Sequence, residues 1–305
     1  RISLANRDVK MADKKQPTAG GLRTKQNEDL GEITKKTFYE INEPYLFGGG
    51  FIIVFLAIWE AIPHVFTLPK GISLFFTTPI TVFERLFSML DGSQKMFDGN
   101  PLTAHLASST EAFLSGLGLS IIVALPLGII LGRSKILNAM FDPFVTAINA
   151  TPRLVFLPII MIWVGIGYWT VTLIVFIGAV FPLLINTYAG VKNADQLLIN
   201  VVKSFGANEW EINKLVILPN SLPFIIAGLR LAIGRAILGI VVAEFFGGTT
   251  MGMGVIMVDA SGKFHVDVVF VGLIMFMTLS LILTAIVKII ENKLSRWRPQ
   301  QVKTF

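Results

Sequence analysis

From Val268 to Val287 the chain runs twenty residues without one charged side chain. That is about the length a helix rising about 1.5 Å per residue needs to cross about 30 Å of hydrocarbon. Lipid offers no partners to backbone N–H and C=O groups, so such a run folds as a helix. Five more stretches share the character, giving spans at about 46 to 66, 110 to 132, 140 to 165, 169 to 191, 222 to 246 and 267 to 290. Charged residues make up 15% of the chain and hydrophobic ones 53%, against about 25% charge in soluble domains. The expected class is an all-α membrane protein with six transmembrane helices.

A formal charge of +6 raises the question of nucleic acid. The basic residues form no stripe with interleaved aromatics, however, and fall between the apolar runs instead, so no nucleic-acid partner is expected. With no cysteine, thiol catalysis, disulfides and iron–sulfur clusters are excluded. His64, His105 and His265 are isolated and read as interfacial or loop histidines, because a metal site needs clustered ligands. Residues 1–44 mix both charge signs without a long apolar run and read as an N-terminal tail. Within it, Met11-Ala-Asp-Lys-Lys looks like a natural start, which leaves residues 1–10 out of the fold reasoning. Residues 299–305 read as a C-terminal tail.

Lysine and arginine favour the cytoplasmic side in short loops. With the N-terminus inside, Arg133 and Lys135 occupy a cytoplasmic turn, and Lys192, Lys203 and Lys214 a longer cytoplasmic loop. Lys293, Arg296 and Arg298 then follow the last span, so both termini are expected inside. The outer loops, about 67 to 109 and 247 to 266, carry Lys70, Arg85, Lys95 and Lys263 against several acids. In the first, Thr78-Pro79 followed by Ile80, Val82, Phe83, Leu86, Phe87 and Leu90 predicts a short interfacial helix, with Thr78 as cap and Pro79 in its first turn.

Small residues mark close helix contacts, since helices in lipid associate by van der Waals packing. Gly116, Gly118, Ser120, Gly128 and Gly132 in the second span, and Ala232 and Ala236 in the fifth, fit either bundle packing or a dimer face. Pro143, Pro152 and Pro158 fall in or near the third span, where each removes a backbone donor. Such breaks are tolerated in protein or beside a wet cavity, and they border transport pathways or simply shape the bundle.

Charges within spans are costly and face a cavity or a partner. Arg153, Arg230, Arg235 and Glu244 are the candidates. A straight third span from residue 140 would put Arg153 roughly 20 Å along it, and Arg235 lies roughly 18 Å beyond Pro223. Two guanidinium groups at similar depth fit an anion path beside Asn149 and Thr151. The alternative has them pairing with Glu244, Glu111 or backbone carbonyls. Asn149, Arg153, Arg235 and Glu244 are therefore the pathway candidates.

The loop at about 193–220 is polar yet patterned. Leu197, Leu198, Val201, Val202, Phe205 and Ala207 recur near helical spacing, predicting an amphipathic helix, a turn at Gly206 and a second helix. Pro219 is expected where the chain turns back into the membrane. The apolar face of such a helix needs either lipid or a partner's groove.

From Gly206 to Pro219 the spacing is a glycine, nine residues, an aliphatic, one residue and Leu-Pro, and it resembles the EAA loop of ABC importer permeases. The segment from Gln196 to Arg235 is similar to the permeases for nitrate, bicarbonate, taurine and alkanesulfonates, whose relatives include thiamine-precursor and riboflavin permeases. Matching motifs are Thr151-Pro152-Arg153 with Leu157-Pro158, Trp163-Val164-Gly165-Ile166-Gly167 and Ala227-Gly228-Leu229-Arg230-Leu231-Ala232. Val242-Ala243-Glu244, Gly252-Met253-Gly254 and Arg296-Trp297-Arg298 extend the resemblance over roughly residues 45 to 298, the expected permease domain.

The resemblance implies a MetI-like type I importer fold in a bacterial inner membrane, with a second permease copy and two cytoplasmic ATPases. A periplasmic or lipid-anchored binding protein would deliver a small anion such as nitrate, bicarbonate, taurine or another sulfonate. It also implies ATPase-coupling roles for Phe205, Gly206, Ala207, Trp210 and Pro219. One departure is Asn200-Val201-Val202 where the family has Glu-Ala-Ala, and another is Glu111 where many relatives carry a base. No Gly-x-x-x-x-Gly-Lys-Ser/Thr loop occurs, and Gly262-Lys263 is followed by Phe264. ATP and Mg are thus expected on the partner ATPase, with no cofactor on this chain and no catalysis by it. Other cargoes in view are a thiamine precursor, riboflavin or an aromatic acid, and the other class is a secondary transporter or channel subunit.

Overall fold

The computed structural model describes residues 38–66, 69, 75–93 and 95–294. The expected tails, apart from the start of the first helix at Phe38, lie outside the described residues, as do Lys70 and Arg296-Trp297-Arg298. Every regular element among the described residues is helical: α1 Phe38–Val65, α2 Pro79–Leu90, α3 Leu102–Arg133, α4 Lys135–Ala150, α5 Phe156–Val164, α6 Tyr168–Lys192, α7 Gln196–Ser204, α8 Glu209–Ile212, α9 Leu218–Phe245, α10 Met253–Gly262 and α11 Val266–Leu294. The chain divides into two compact units, Arg1–Ile62 and Pro63–Phe305. Leu46–Val65, all but its last three residues in the first, is long and apolar enough to cross a membrane, and in the second so are α3, α6, Glu209–Phe245 and α11.

The third expected span is not straight. α4 and the segment Arg153–Val164 meet at 91°, and only together do they amount to a sixth span. The cause is Thr151-Pro152, since a residue before proline is pushed out of the α region, and Thr151 sits at ψ 132. Its hydroxyl caps the break by donating to the Ala147 carbonyl at 2.9 Å. Arg153 therefore does not lie 20 Å along a helix but stands at the corner, opening a short 3-10 turn Arg153–Val155.

α6 is the central element, with α3 and α9 against it. Small residues recur every fourth position on α3, at Gly116, Ser120, Ala124, Gly128 and Gly132, which is one face of a helix. A Cβ on Gly128 would stand 2.7 Å from the Thr187 side chain, and one on Gly132 2.5 Å from Val191. α9 approaches as closely from the other side, where a Cβ on Gly228 would meet Asn186 at 2.7 Å. These stripes serve packing within one chain, through the short-range contact that holds helices together in lipid.

α2 forms as its sequence predicts. Thr78 Oγ accepts from the Thr81 N–H, Pro79 occupies the first turn, and Val82, Leu86 and Met89 are buried. Arg85 ties α2 to the start of α11 through Asp267 at 2.6 Å. The segment 247–266, expected as a loop, instead contains α10, whose Met253, Ile256, Met257 and Ala260 are buried. Its ten residues carry a single charge at Asp259 and bury one face against neighbouring helices.

Candidate functional site

The amphipathic hairpin between α6 and α9 is built from local rules. Asp195 caps α7, its carboxylate accepting from the Leu197 N–H at 2.8 Å. At the other end Gly206 adopts φ +85°. The Gly206 N–H donates to the Lys203 carbonyl and the Ala207 N–H to the Val202 carbonyl, a Schellman stop. Two residues later Asn208 and Glu211 form a reciprocal capping box that starts α8. The Asn-x-x-Glu spacing is the signal in the sequence for that second start.

Pro219 does not turn the chain. Helix continues from Glu209 to Phe245, passing through a π-helical segment Asn213–Ile217. There the Leu218 N–H reaches back to the Asn213 carbonyl. The wider turn accommodates a proline that lacks an N–H of its own and shifts the helix register.

The hairpin is exposed on one side and anchored on the other. Phe205 is 88% exposed and Trp210 75% exposed, flanking Gly206, while Ala207 is half-buried. A groove of about 420 Å³ runs beside them, lined by Leu198, Val201, Val202, Leu215, Val216 and Pro219. Beneath it, Ile212 and Ile217 pack with Val191 at the end of α6. Arg133, the last residue of α3, hydrogen-bonds both Asn213 and Glu209. The Asn200-Val201-Val202 stretch places apolar side chains in the groove and no acid.

A second cluster forms at the broken span. The Arg153 guanidinium donates to the Arg235 backbone carbonyl at 3.0 Å, and the Arg235 guanidinium to Asn149 Oδ1 at 2.9 Å. Both arginines are half-buried and line one small notch with Asn149 and Thr151. Three of the four pathway candidates thus come together. Arg230 pairs instead with Glu291, and among the described residues no ion pair joins Glu111 or Glu244 to an arginine.

Glu244, the fourth candidate, belongs elsewhere. It lies nine residues beyond Arg235, about 13 Å along the helix, and is 3% exposed. Its carboxyl group accepts from the Ser109 hydroxyl and from the Gly254 N–H, both at 2.6 Å. Ser109 Oγ in turn accepts from the Met253 N–H at 2.8 Å. Side chains on Gly252 or Gly254 would collide with the Glu244 side chain. The acid therefore pins the start of α10.

His105 corrects its reading as an interfacial or loop residue. It is 1% exposed in the first turn of α3, where Nδ1 accepts from the Gly252 N–H at 3.2 Å. Nε2 consequently faces Asp98 as the donor, at 3.2 Å. A buried histidine in a helix opening Leu-Thr-Ala-His has no period to reveal it, and only the fold brings Gly252 to it.

The family pattern of binding-protein-dependent transport system inner membrane components matches residues 124–296. The taurine transport system permease protein TauC of Escherichia coli (strain K12) is 29% identical over 272 residues, covering 89% of this chain and 96% of its own. The putative aliphatic sulfonates transport permease protein SsuC of Bacillus subtilis (strain 168) is 31% identical, covering 80% and 85% respectively. Among solved structures, an inward-facing MetNI methionine ABC transporter superposes with a TM-score of 0.57 at 17% identity, over 63% of this chain and 95% of that one.

Proposed function

Since the chain belongs to the binding-protein-dependent transport system inner membrane component family, and so is the permease subunit of an ABC importer, we propose that its cargo is a small sulfonate such as taurine or an alkanesulfonate. The observation that carries the cargo is the likeness to TauC, which extends over 96% of that permease. ATP is hydrolysed by a separate ATPase, and a substrate-binding protein brings the cargo. We further propose that two copies of this chain enclose the pathway, with both termini and the hairpin at 193–220 on the cytoplasmic side.

In this arrangement the hairpin is the ATPase contact. Phe205 and Trp210 project from a rigidly capped turn, and the apolar groove beside them needs covering. Closure of the ATPase pair on ATP binding draws two hairpins together. The uninterrupted helix from Glu209 to Phe245, 37 residues long, carries that displacement into the bundle. Hydrolysis releases the ATPases and resets it.

The test is uptake by the whole transporter in proteoliposomes, with ATP inside and the loaded binding protein outside. ATP-dependent accumulation of labelled taurine or ethanesulfonate, displaced by unlabelled sulfonate but not by nitrate or bicarbonate, is expected. Accumulation of nitrate or bicarbonate with no sulfonate uptake would overturn the cargo.

A further inference from the structure

We infer that Arg153, Arg235 and Asn149 form an oxyanion station within the pathway, one that holds the sulfonate head of the cargo and leaves its tail unread. The inference rests on the sulfonate reading above and deepens it. An arginine carries five N–H donors and no acceptor. In the notch each guanidinium has one assigned acceptor, a backbone carbonyl for Arg153 and an amide oxygen for Arg235. Among the described residues neither has a carboxylate partner.

The rest of the notch offers donors as well. Asn149 has its oxygen committed to Arg235, so its NH₂ group remains to donate. Thr151 already donates its hydroxyl proton to Ala147. The two guanidinium groups carry like charge and repel, and an anionic ligand that only accepts relieves that repulsion. A sulfonate has three accepting oxygens, no proton to donate and a fixed negative charge, and guanidinium forks suit oxyanions of this kind.

Gly178 makes the room. A Cβ there would stand 3.0 Å from the Arg235 carbonyl oxygen and 3.4 Å from Arg153 Nε, wedging apart the two groups that converge. The notch itself encloses only about 10 Å³, roughly the space of a single water. It therefore accepts an oxygen of the head group while the remainder of the ligand lies in the open path. Charge and head geometry are read, and the length of the alkyl tail is not.

Arg235 rides on the helix that begins in the hairpin, and Arg153 sits at the corner of the broken span. An anion bridging them joins these two elements, so it favours the arrangement in which the guanidinium groups converge.

The test uses the assembled permease–ATPase complex. Ethanesulfonate is titrated calorimetrically into the complex without binding protein, and its uptake is measured with binding protein present. Arg153→Gln and Arg235→Gln are expected to remove the binding heat and to lower uptake at least tenfold. Arg153→Lys keeps the charge without the fork and should lose severalfold, as should Gly178→Ala, which keeps both arginines. Arg230→Gln, which removes a cation from the same helix outside the notch, should import within twofold of the unmodified transporter. Butanesulfonate should bind within threefold of ethanesulfonate, and ethanol should not bind.

Equal binding heat in the two glutamine variants, or no heat in the unmodified complex, would overturn the station. If the unmodified transporter imports sulfonate and the glutamine variants import it equally, the station falls and the cargo reading stands. If the unmodified complex binds ethanesulfonate but imports none, the cargo reading falls and the station stands.

Discussion

Gly206 gives the sharpest handle on how the hairpin works, because its role is purely conformational. It holds φ +85° and an added Cβ would meet nothing within 4 Å. Alanine at this position therefore brings backbone strain alone, about 1 kcal/mol for a left-handed L-residue. That corresponds to about a fivefold loss of correctly shaped hairpin. Proline is a larger perturbation, since its ring fixes φ near about −65° and removes the N–H. The bond to Lys203 disappears, and with the chain redirected the Ala207 bond to Val202 is lost too. At about 1 kcal/mol net for each bond, plus the strain, the cost is about 2–3 kcal/mol, or a 30- to 150-fold drop.

Neither change touches the packing of α3, α6 and α9, so insertion should be unaffected. Three readings on one preparation separate the steps: co-elution of the ATPase, hydrolysis stimulated by the loaded binding protein, and uptake. Uptake is expected to fall about fivefold for Gly206→Ala and at least 30-fold for Gly206→Pro, tracking the population of the turn. Unchanged uptake in the proline variant would refute a conformational role for the turn. Equal losses in both variants would show that an added Cβ collides with the ATPase, and the backbone argument would fail.

Other perturbations report on the frame around the site. Gly128→Val forces a side chain into Thr187, which sits 2.7 Å from where a Cβ would stand. The melting temperature in detergent should drop by the equivalent of about 1–3 kcal/mol, whereas Gly118→Ala, facing open space, should raise it; the opposite order would contradict the α3–α6 contact. Asp98 offers a pH test: burial pushes its carboxyl up, but hydrogen bonds from Asn100 and His105 outweigh this and hold it below the ordinary 3.8. A depressed carboxylate stabilises above the ordinary value and loses that contribution as pH falls through the lower folded one. Acid melting should thus bring a loss below about pH 4 that is smaller and complete at higher pH in Asn100→Ala, and coincident profiles would remove Asp98 from the account.

Local signals carried much of this architecture into the sequence. Thr78-Pro79 announces α2, Gly206 announces the end of α7, and the uncharged run at Val268–Val287 is the body of α11. What local pattern could not supply was direction. Thr151-Pro152 warned of a break but not of a 91° bend, because the angle depends on what α4 and α5 pack against. Pro219 looked like a corner and instead lies inside a continuous helix, since a π turn upstream takes up the misfit. Glu244 looked like a pathway charge because span membership says nothing of partners, and its partners come from Ser109 and Gly254 on separate helices. A straight third span would put Arg153 and Arg235 at similar depth. They do converge, but across the bend.

The helix from Glu209 to Phe245 joins three places that would otherwise be independent. Its start is the capped turn beside Trp210, its middle holds Arg235, and its last turns hold Glu244, which pins α10. At about 1.5 Å per residue it extends about 55 Å, and only the π segment at Asn213–Ile217 departs from regular α geometry. A displacement of the hairpin must either be absorbed in that segment or be passed to Arg235 and α10. Arg133 bears on the choice, because it grips Asn213, the first π residue, and Glu209 from the end of α3. Held this way, the hairpin and α3 move together, and the load reaches the regular helix beyond Leu218. With the ATPase docked on the hairpin as proposed, the coupling is limited by the difference in contact energy between its two states. On the same proposal, whatever factor ATPase docking puts on the affinity for an anion bridging Arg153 and Arg235, that anion puts on the affinity for the ATPase.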